Sequence, residues 1–212
     1  MRRRFISKEV NFSPRVVSWE IFPLSFRAFL DIKGIESDGH LSTKQRLTIQ
    51  KAFEDAGLLF SVNILSSSPT RISVNPRKVY SIDHALAVST SSGILTNRDS
   101  LLENIVFTAL RRVTPEIFYH KTKTGREVDL VTLLPSVPGQ EGAVMLVQVC
   151  ASLTDPRVKQ SEVRSLSEAM VELTVAEGTI VTWRTAETIP VGFGTIHVIP
   201  VWRFLLEMEP RG

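Results

Sequence analysis

At 212 residues the chain is long enough for one good-sized domain, or a domain with an appendage, and 43% hydrophobic residues can build a real core, which excludes wholesale disorder. A net charge of +3, with arginines and lysines clustered locally, leaves nucleic acid open as a partner, while a single cysteine excludes an intrachain disulfide and a cysteine-rich zinc site. No apolar run approaches a membrane span and no secretory-type apolar leader follows the basic Met1-Arg2-Arg3-Arg4 start, so a cytoplasmic protein with no membrane partner is expected.

The opening third is irregular. The stretch Val16–Gly34 holds a short apolar strand, then Pro23, then a helix-like segment through Phe26, Phe29 and Leu30 that Gly34 could stop. Phe22, Phe26 and Phe29 fall at helical spacing and read as packing. After the polar hinge ESDGHLST, Ser42 is placed to cap a helix running to Ala56, with Gly57 ending it. Leu58–Ile64 has strand composition, SSSP reads as a loop, RISV as a second short strand, and Lys78–Ile82 as a strand leading into a helical stretch. The STSSG tract before Ile94 is the expected boundary.

From Asn97 the pattern becomes orderly. Asp99–Arg112 is a strongly amphipathic helix; EIFYHKT, REVDLVTLL and AVMLVQVC read as strands, the first two joined by a tight KTG turn. A long helix from Asp155 follows, expected to close at Gly178, then the strands TIVTW and GTIHVIP and a short final helix, VWRFLLEM. Three antiparallel strands followed by a helix and crossover strands imply an α/β sandwich, not a bundle or a barrel.

Three polar side chains stand where a core prefers apolar ones. At about 100° per residue, Leu102, Ile105, Val106, Ala109 and Leu110 form the apolar face of their helix, and Glu103 falls at its edge. Strict alternation puts Asp129 on the strand face of Val131 and Leu133, with Val128 and Leu130 on the other. Gln148 interrupts the next strand and shares a face with Cys150 two residues on. An acid on a helix, an aspartate in one strand, then an acid or amide and a further residue at i and i+2 in the next strand resembles the PD-(D/E)XK, or restriction-endonuclease-like, nuclease core.

A fuller resemblance covers nearly the whole chain. LLENIVFTALRR, EIFYHKTKTGREVDLV and LVQVCASLTDPRVKQSEVRSLSEAM resemble the C-terminal nuclease-like domain, a domain of unknown function, of archaeal-type AAA+ ATPases. FPLSFRAFLDIKG is similar to the segment after the ATPase core in those proteins, and FEDAGLLFSV and NPRKVYSID resemble their winged-helix end and lead-in. The resemblance implies three parts: 1–41, a remnant of the segment after the ATPase core; 42–96, a shortened winged-helix-like remnant and lead-in; and 97–212, the nuclease-like domain. It implies an α/β restriction-endonuclease-like core, a mixed sheet flanked by helices, behind a small irregular α+β N-terminal part.

The same resemblance places Glu103, Asp129 and Gln148 at the positions that hold a divalent metal, Mg2+ or Mn2+, and Cys150 where the superfamily has its catalytic lysine. Gln148 would ligate through a neutral carbonyl oxygen, and a thiol at Cys150 cannot supply the fixed positive charge of a lysine. The missing lysine would come from Lys121, Lys123 or Arg126 of the basic hairpin HKTKTGR. That hairpin, with Lys159 on the following helix, would contact DNA or RNA phosphates. No G-x-x-x-x-G-K-[ST] loop occurs, so no ATP hydrolysis is expected. Surface left bare by the missing ATPase core implies a homo-oligomer or a protein partner.

Plainer readings stand beside these. Glu103 pairs with Arg126, Asp129 closes a turn or meets Lys121 or Lys123, and Gln148 hydrogen-bonds within the core. Cys150 is then a small buried hydrophobe, and the four histidines lack the clustered spacing of a zinc site. On that footing the chain is a catalytically inactive interaction module of nuclease fold or a truncated ATPase fragment.

Overall fold

The computed structural model describes residues 10–13 and 16–18, as backbone only, together with 42–83, 85, 97–134 and 143–208. The chain divides into two compact units, 1–50 and 51–212. In the first, β1 (Val10–Ser13) pairs antiparallel with β2 (Val16–Ser18). The helix expected through Phe26 and Phe29 and the boundary expected at STSSG lie outside the described residues. Helix α1 (Thr43–Asp55) begins as expected at Ser42: its hydroxyl accepts from the Gln45 N–H at 3.3 Å while the Gln45 amide oxygen accepts from the Ser42 N–H at 2.8 Å. This reciprocal pair satisfies two of the orphan donors of a helix start. Gly57, at φ +69°, carries the chain out of the helix.

The second unit holds a hairpin of β3 (Leu59–Val62) and β4 (Lys78–Ser81), with α2 (Pro69–Val74) between its strands. The expectation of a strand at RISV is corrected here: Ser68 caps a short helix by accepting from the Arg71 N–H, and Pro69 fits its first turn, where no N–H is needed. Next come α3 (Arg98–Val113), β5 (Ile117–Lys121), β6 (Glu127–Leu133), β7 (Val144–Val149), α4 (Pro156–Leu173), β8 (Glu177–Thr182), β9 (Glu187–Val191), β10 (Gly194–Pro200) and α5 (Val201–Met208). One six-stranded mixed sheet runs β5-β6-β7-β8-β10-β9. β5, β6 and β7 pair antiparallel in sequence, β8 lies parallel to β7, and β10 lies parallel to β8 and antiparallel to the edge strand β9.

Helices cover both faces of the sheet. On one, Leu102, Val106, Phe107 and Leu110 of α3 and Phe204 of α5 pack on Leu130, Val147 and Val181. On the other, Leu166, Ala169 and Met170 of α4 pack on Val128, Val131, Leu146 and Ile180. Val62, Ile64 and Tyr80 belong to the α3-side core, so the β3–β4 hairpin is tied to the sheet. Among the described residues no helix is long and apolar enough to cross a membrane.

Two local expectations change. Helix α4 ends at Leu173, with Thr174 left-handed at φ 57° and its N–H bonded back to Met170 and Val171, so Gly178 does not close it. Gly178 lies in β8, where a Cβ would sit 2.9 Å from Leu166 and 3.0 Å from the Met170 sulfur; the glycine lets the strand approach the helix. The second change is in β6. Phe118 pairs with Val131 but His120 pairs with Val128, so Tyr119 faces two residues, Asp129 and Leu130. This β-bulge breaks the alternation. Val128 and Val131 pack on the α4 side, whereas Leu130 lies in the α3-side core and the Asp129 carboxylate meets Glu103's neighbourhood on that same side.

Candidate functional site: a lysine held by three carboxylates

The bulge delivers the Asp129 side chain to a cluster centred on Lys78, the first residue of β4. The Lys78 Nζ lies 2.9 Å from Asp129 Oδ1, 3.1 Å from Glu103 Oε1 and 2.9 Å from Glu127 Oε1. The Tyr80 hydroxyl, two residues along β4, donates to the same Glu103 oxygen at 2.6 Å. Tyr119, opposite the bulge, anchors the approach to β4 by donating its hydroxyl to the Pro76 carbonyl at 2.7 Å, and its ring lies 5.8 Å from the lysine nitrogen. Asp129, Glu103 and Lys78 side chains are 14%, 21% and 21% exposed, so the cluster opens to solvent without being flooded by it.

Burial sets the protonation chemistry. It pushes the Asp129 carboxyl up to about 6, helped by the Glu103 charge and opposed by the Lys78 ammonium. Burial alone would depress Lys78, but the Asp129 and Glu103 carboxylates outweigh it and hold the ammonium above the ordinary lysine range. Burial, with the Glu103 charge, also raises the Tyr80 phenol, which stays a hydrogen-bond donor. Lys78 is therefore a fixed cation beside a carboxyl that titrates near pH 6.

The structure brings together two of the three metal positions read from the sequence. Glu103 and Asp129 meet; Gln148 serves a different purpose. The β6–β7 ladder ends at Leu130–Val147, and beyond it two backbone donors are satisfied by side chains. Gln148 Oε1 accepts from the Asp129 N–H at 3.3 Å, and Asp129 Oδ2 accepts from the Val149 N–H at 2.9 Å. The amide nitrogen of Gln148 then donates to Glu162 of α4 at 2.7 Å. This position needs an acceptor and a donor at once, which an amide supplies and a carboxylate does not. Burial raises the Glu162 carboxyl, and the Gln148 hydrogen bond opposes that rise.

Cys150 is 7% exposed, its thiol donates to the Ser152 carbonyl at 3.2 Å, and burial pushes its pKa up. It is a small buried group and a poor nucleophile near neutral pH.

The expected pairings of Glu103 with Arg126 and of Asp129 with Lys121 or Lys123 are not formed. Arg126 reaches Glu168 of α4 at 3.4 Å, Lys121 reaches Glu127 at 3.9 Å, and the Lys123 backbone N–H donates to Glu172 at 2.8 Å. Glu168 also accepts from the Thr122 and Thr124 hydroxyls, so the basic hairpin tip is clamped onto α4. Lys159 pairs with Glu187 at 2.6 Å. The lysine that meets Glu103 and Asp129 is not on the hairpin but is Lys78. Its signal was faint: one cation at the head of a short strand, 25 residues before Glu103.

Among the described residues, no three His, Cys, Asp or Glu side chains form a ready ligand set for a metal ion. Set against known protein families, curated proteins and solved structures, the chain matches none.

Proposed function

We propose that the chain is a nuclease-like, nucleic-acid-binding protein whose site is Lys78, Glu103 and Asp129, with weak phosphodiester cleavage dependent on Mg2+ or Mn2+. The observation that carries this reading is the meeting of a helix carboxylate, a bulge-borne strand carboxylate and a lysine at one end of a mixed sheet. Element order supports it: α3, the antiparallel β5-β6-β7, α4 and the parallel β8 follow the order of a restriction-endonuclease-like core. Lys78 restores the positive charge that Cys150 cannot provide.

The donor chemistry suits a hard divalent ion, because Glu103, Asp129 and Glu127 already direct carboxylate oxygens at one cation, the Lys78 ammonium. Mg2+ or Mn2+ there would stabilise charge on phosphoryl oxygens and acidify water. Ammonium contacts of 2.9 to 3.1 Å are longer than the roughly 2.1 Å of Mg–O bonds, so binding requires Lys78 to move aside and the carboxylates to close in. That competition is the physical reason for weak activity. Lys78, once displaced from the carboxylates, is positioned to donate to a phosphate oxygen, and Tyr80 keeps Glu103 oriented.

A second reading, a non-catalytic nucleic-acid or protein-binding module, is favoured by one observation: Gln148 is committed to Glu162 and to the Asp129 N–H, leaving two inherited positions instead of three. Incubating the protein with labelled single- and double-stranded DNA and RNA, with Mg2+, Mn2+ or chelator, separates the two. Metal-dependent cleavage lost in Asp129→Ala and reduced about a hundredfold or more in Lys78→Ala supports the enzyme. Binding with no cleavage under any metal refutes it in favour of the module.

A further inference from the structure

A cavity of about 330 Å3 lies apart from the lysine cluster, and none of Lys78, Glu103, Glu127 or Asp129 lines it. Its walls come from β3, the residue before β4, α3 and the start of β5: Phe60, Arg77, Phe107, Arg111 and Ile117. The Arg111 guanidinium lies 5.3 Å from the centre of the Phe60 ring, and Phe60 meets Phe107 with ring centres 5.7 Å apart. Phe107 in turn stacks on Tyr80 at 4.2 Å, which places the aromatic layer between the cavity and the lysine cluster. Among the described residues neither Arg77 nor Arg111 has an ion-pair partner, whereas Lys78, Lys121, Arg126 and Lys159 all have one. The carboxylate in the lining, Glu54, accepts from the Ser61 hydroxyl.

We infer that this cavity binds a nucleotide through its phosphate, held by Arg77 and Arg111, with the base at Phe60, the half-buried aromatic of the wall. Two guanidiniums with no carboxylate partner among the described residues are suited to a phosphate monoester, which a guanidinium can grip through paired N–H donors. Phe60 is the half-buried ring in this wall, with Phe107 and Ile117 buried behind it, so the polar groups of the lining carry most of the recognition. At about 330 Å3 the space is at the small end of ligand sites, right for one nucleotide and too small for a run of strand. The phosphate can belong to a free mononucleotide or to the end of a strand. The inference does not depend on the proposed cleavage, because the two sites share no lining residue.

Calorimetric titration of the full chain tests it, using adenosine monophosphate, orthophosphate, adenosine, and a short DNA strand with and without a 5′ phosphate. Adenosine monophosphate should bind, adenosine about tenfold or more weaker, and Arg77→Gln and Arg111→Gln should each lose about tenfold. Arg77 is exposed, so Arg77→Gln keeps the test sound even if Arg111→Gln folds poorly. Asp129→Asn should bind the nucleotide as wild type does, which separates this site from the lysine cluster. Displacement of the nucleotide by the phosphorylated strand only, and not by the unphosphorylated one, assigns strand ends; no displacement by either assigns the free nucleotide. Binding of no phosphate probe, or equal affinity in the Arg77→Gln/Arg111→Gln double variant, overturns the inference.

Discussion

Lys78→Met removes the ammonium that bridges Glu103, Glu127 and Asp129 while keeping a chain of similar length. Breaking a buried ion pair by deleting one partner costs about 3–5 kcal/mol, and with Asp129, Glu103 and Lys78 14–21% exposed and Glu127 38% exposed the lower end applies, about 3 kcal/mol at pH 8. The cost depends on pH through Asp129. Its carboxyl rises from the ordinary 3.8 to about 6 on folding, so protonation favours the fold; that help is complete below 3.8 and is lost as pH rises through 6. Without Lys78 the carboxyl moves higher still, because the ammonium is what opposes the rise. Lys78 itself is held above its ordinary 10.5, so the ammonium stays charged from pH 5 to 8 and the pH dependence comes from the carboxylate beside it. At pH 5, then, Asp129 is neutral in the variant and the penalty falls to about 1 kcal/mol. Urea unfolding of both proteins at pH 5, 6.5 and 8, followed by tryptophan fluorescence, reads the difference directly. The double variant Lys78→Met/Asp129→Asn should lose about 1 kcal/mol at all three. A Lys78→Met penalty that is flat with pH, or under about 0.5 kcal/mol at pH 8, refutes the coupling.

Gln148→Glu restores an acid at the third metal position yet places a carboxylate against Glu162 and removes a donor; it should destabilise by about 2–3 kcal/mol at pH 8 and much less at pH 5, in the same unfolding assay. Gly194→Ala drives a Cβ to within 1.9 Å of the Ala176 carbonyl, a backbone atom that cannot swing away, and should cost about 3 kcal/mol or more; Gly178→Ala, meeting the Leu166 and Met170 side chains, should cost about 1–3 kcal/mol, both measured by thermal melting. Cys150 should react slowly with a thiol reagent in the folded protein and fully in denaturant; rapid alkylation at pH 7 would contradict its burial and raised pKa.

Periodicity made the long elements legible. The apolar stripe of α3, the alternating strands around the KTG turn and the Asp155-capped α4 each carry enough repeats to declare their type. The resemblance to a nuclease core then singled out Glu103 and Asp129, which the fold brings to one lysine. What stayed hidden depends on long-range register. Lys78 belongs to a four-residue strand whose place beside α3 comes from tertiary packing of Tyr80 on Phe107, and no local pattern encodes that. The face occupied by Asp129 was misread because alternation assumes one partner per residue, and the bulge violates it. The helix at Pro69–Val74 was readable from Ser68 and Pro69, but its β-branched residues argued for a strand.

The bulge in β6 makes residue count, not residue identity, the determinant of which face carries the charge. Replacing Asp129 changes what sits beside Lys78, but no substitution carries position 129 to the other face. Removing one residue from the Asp129–Leu130 pair would restore alternation and leave a single α3-facing side chain between Val128 and Val131, so the strand could supply the carboxylate or the Leu130 packing on that face, but not both. The extra residue is what lets one strand give the same face both a carboxylate beside Lys78 and an apolar side chain in the core beneath it.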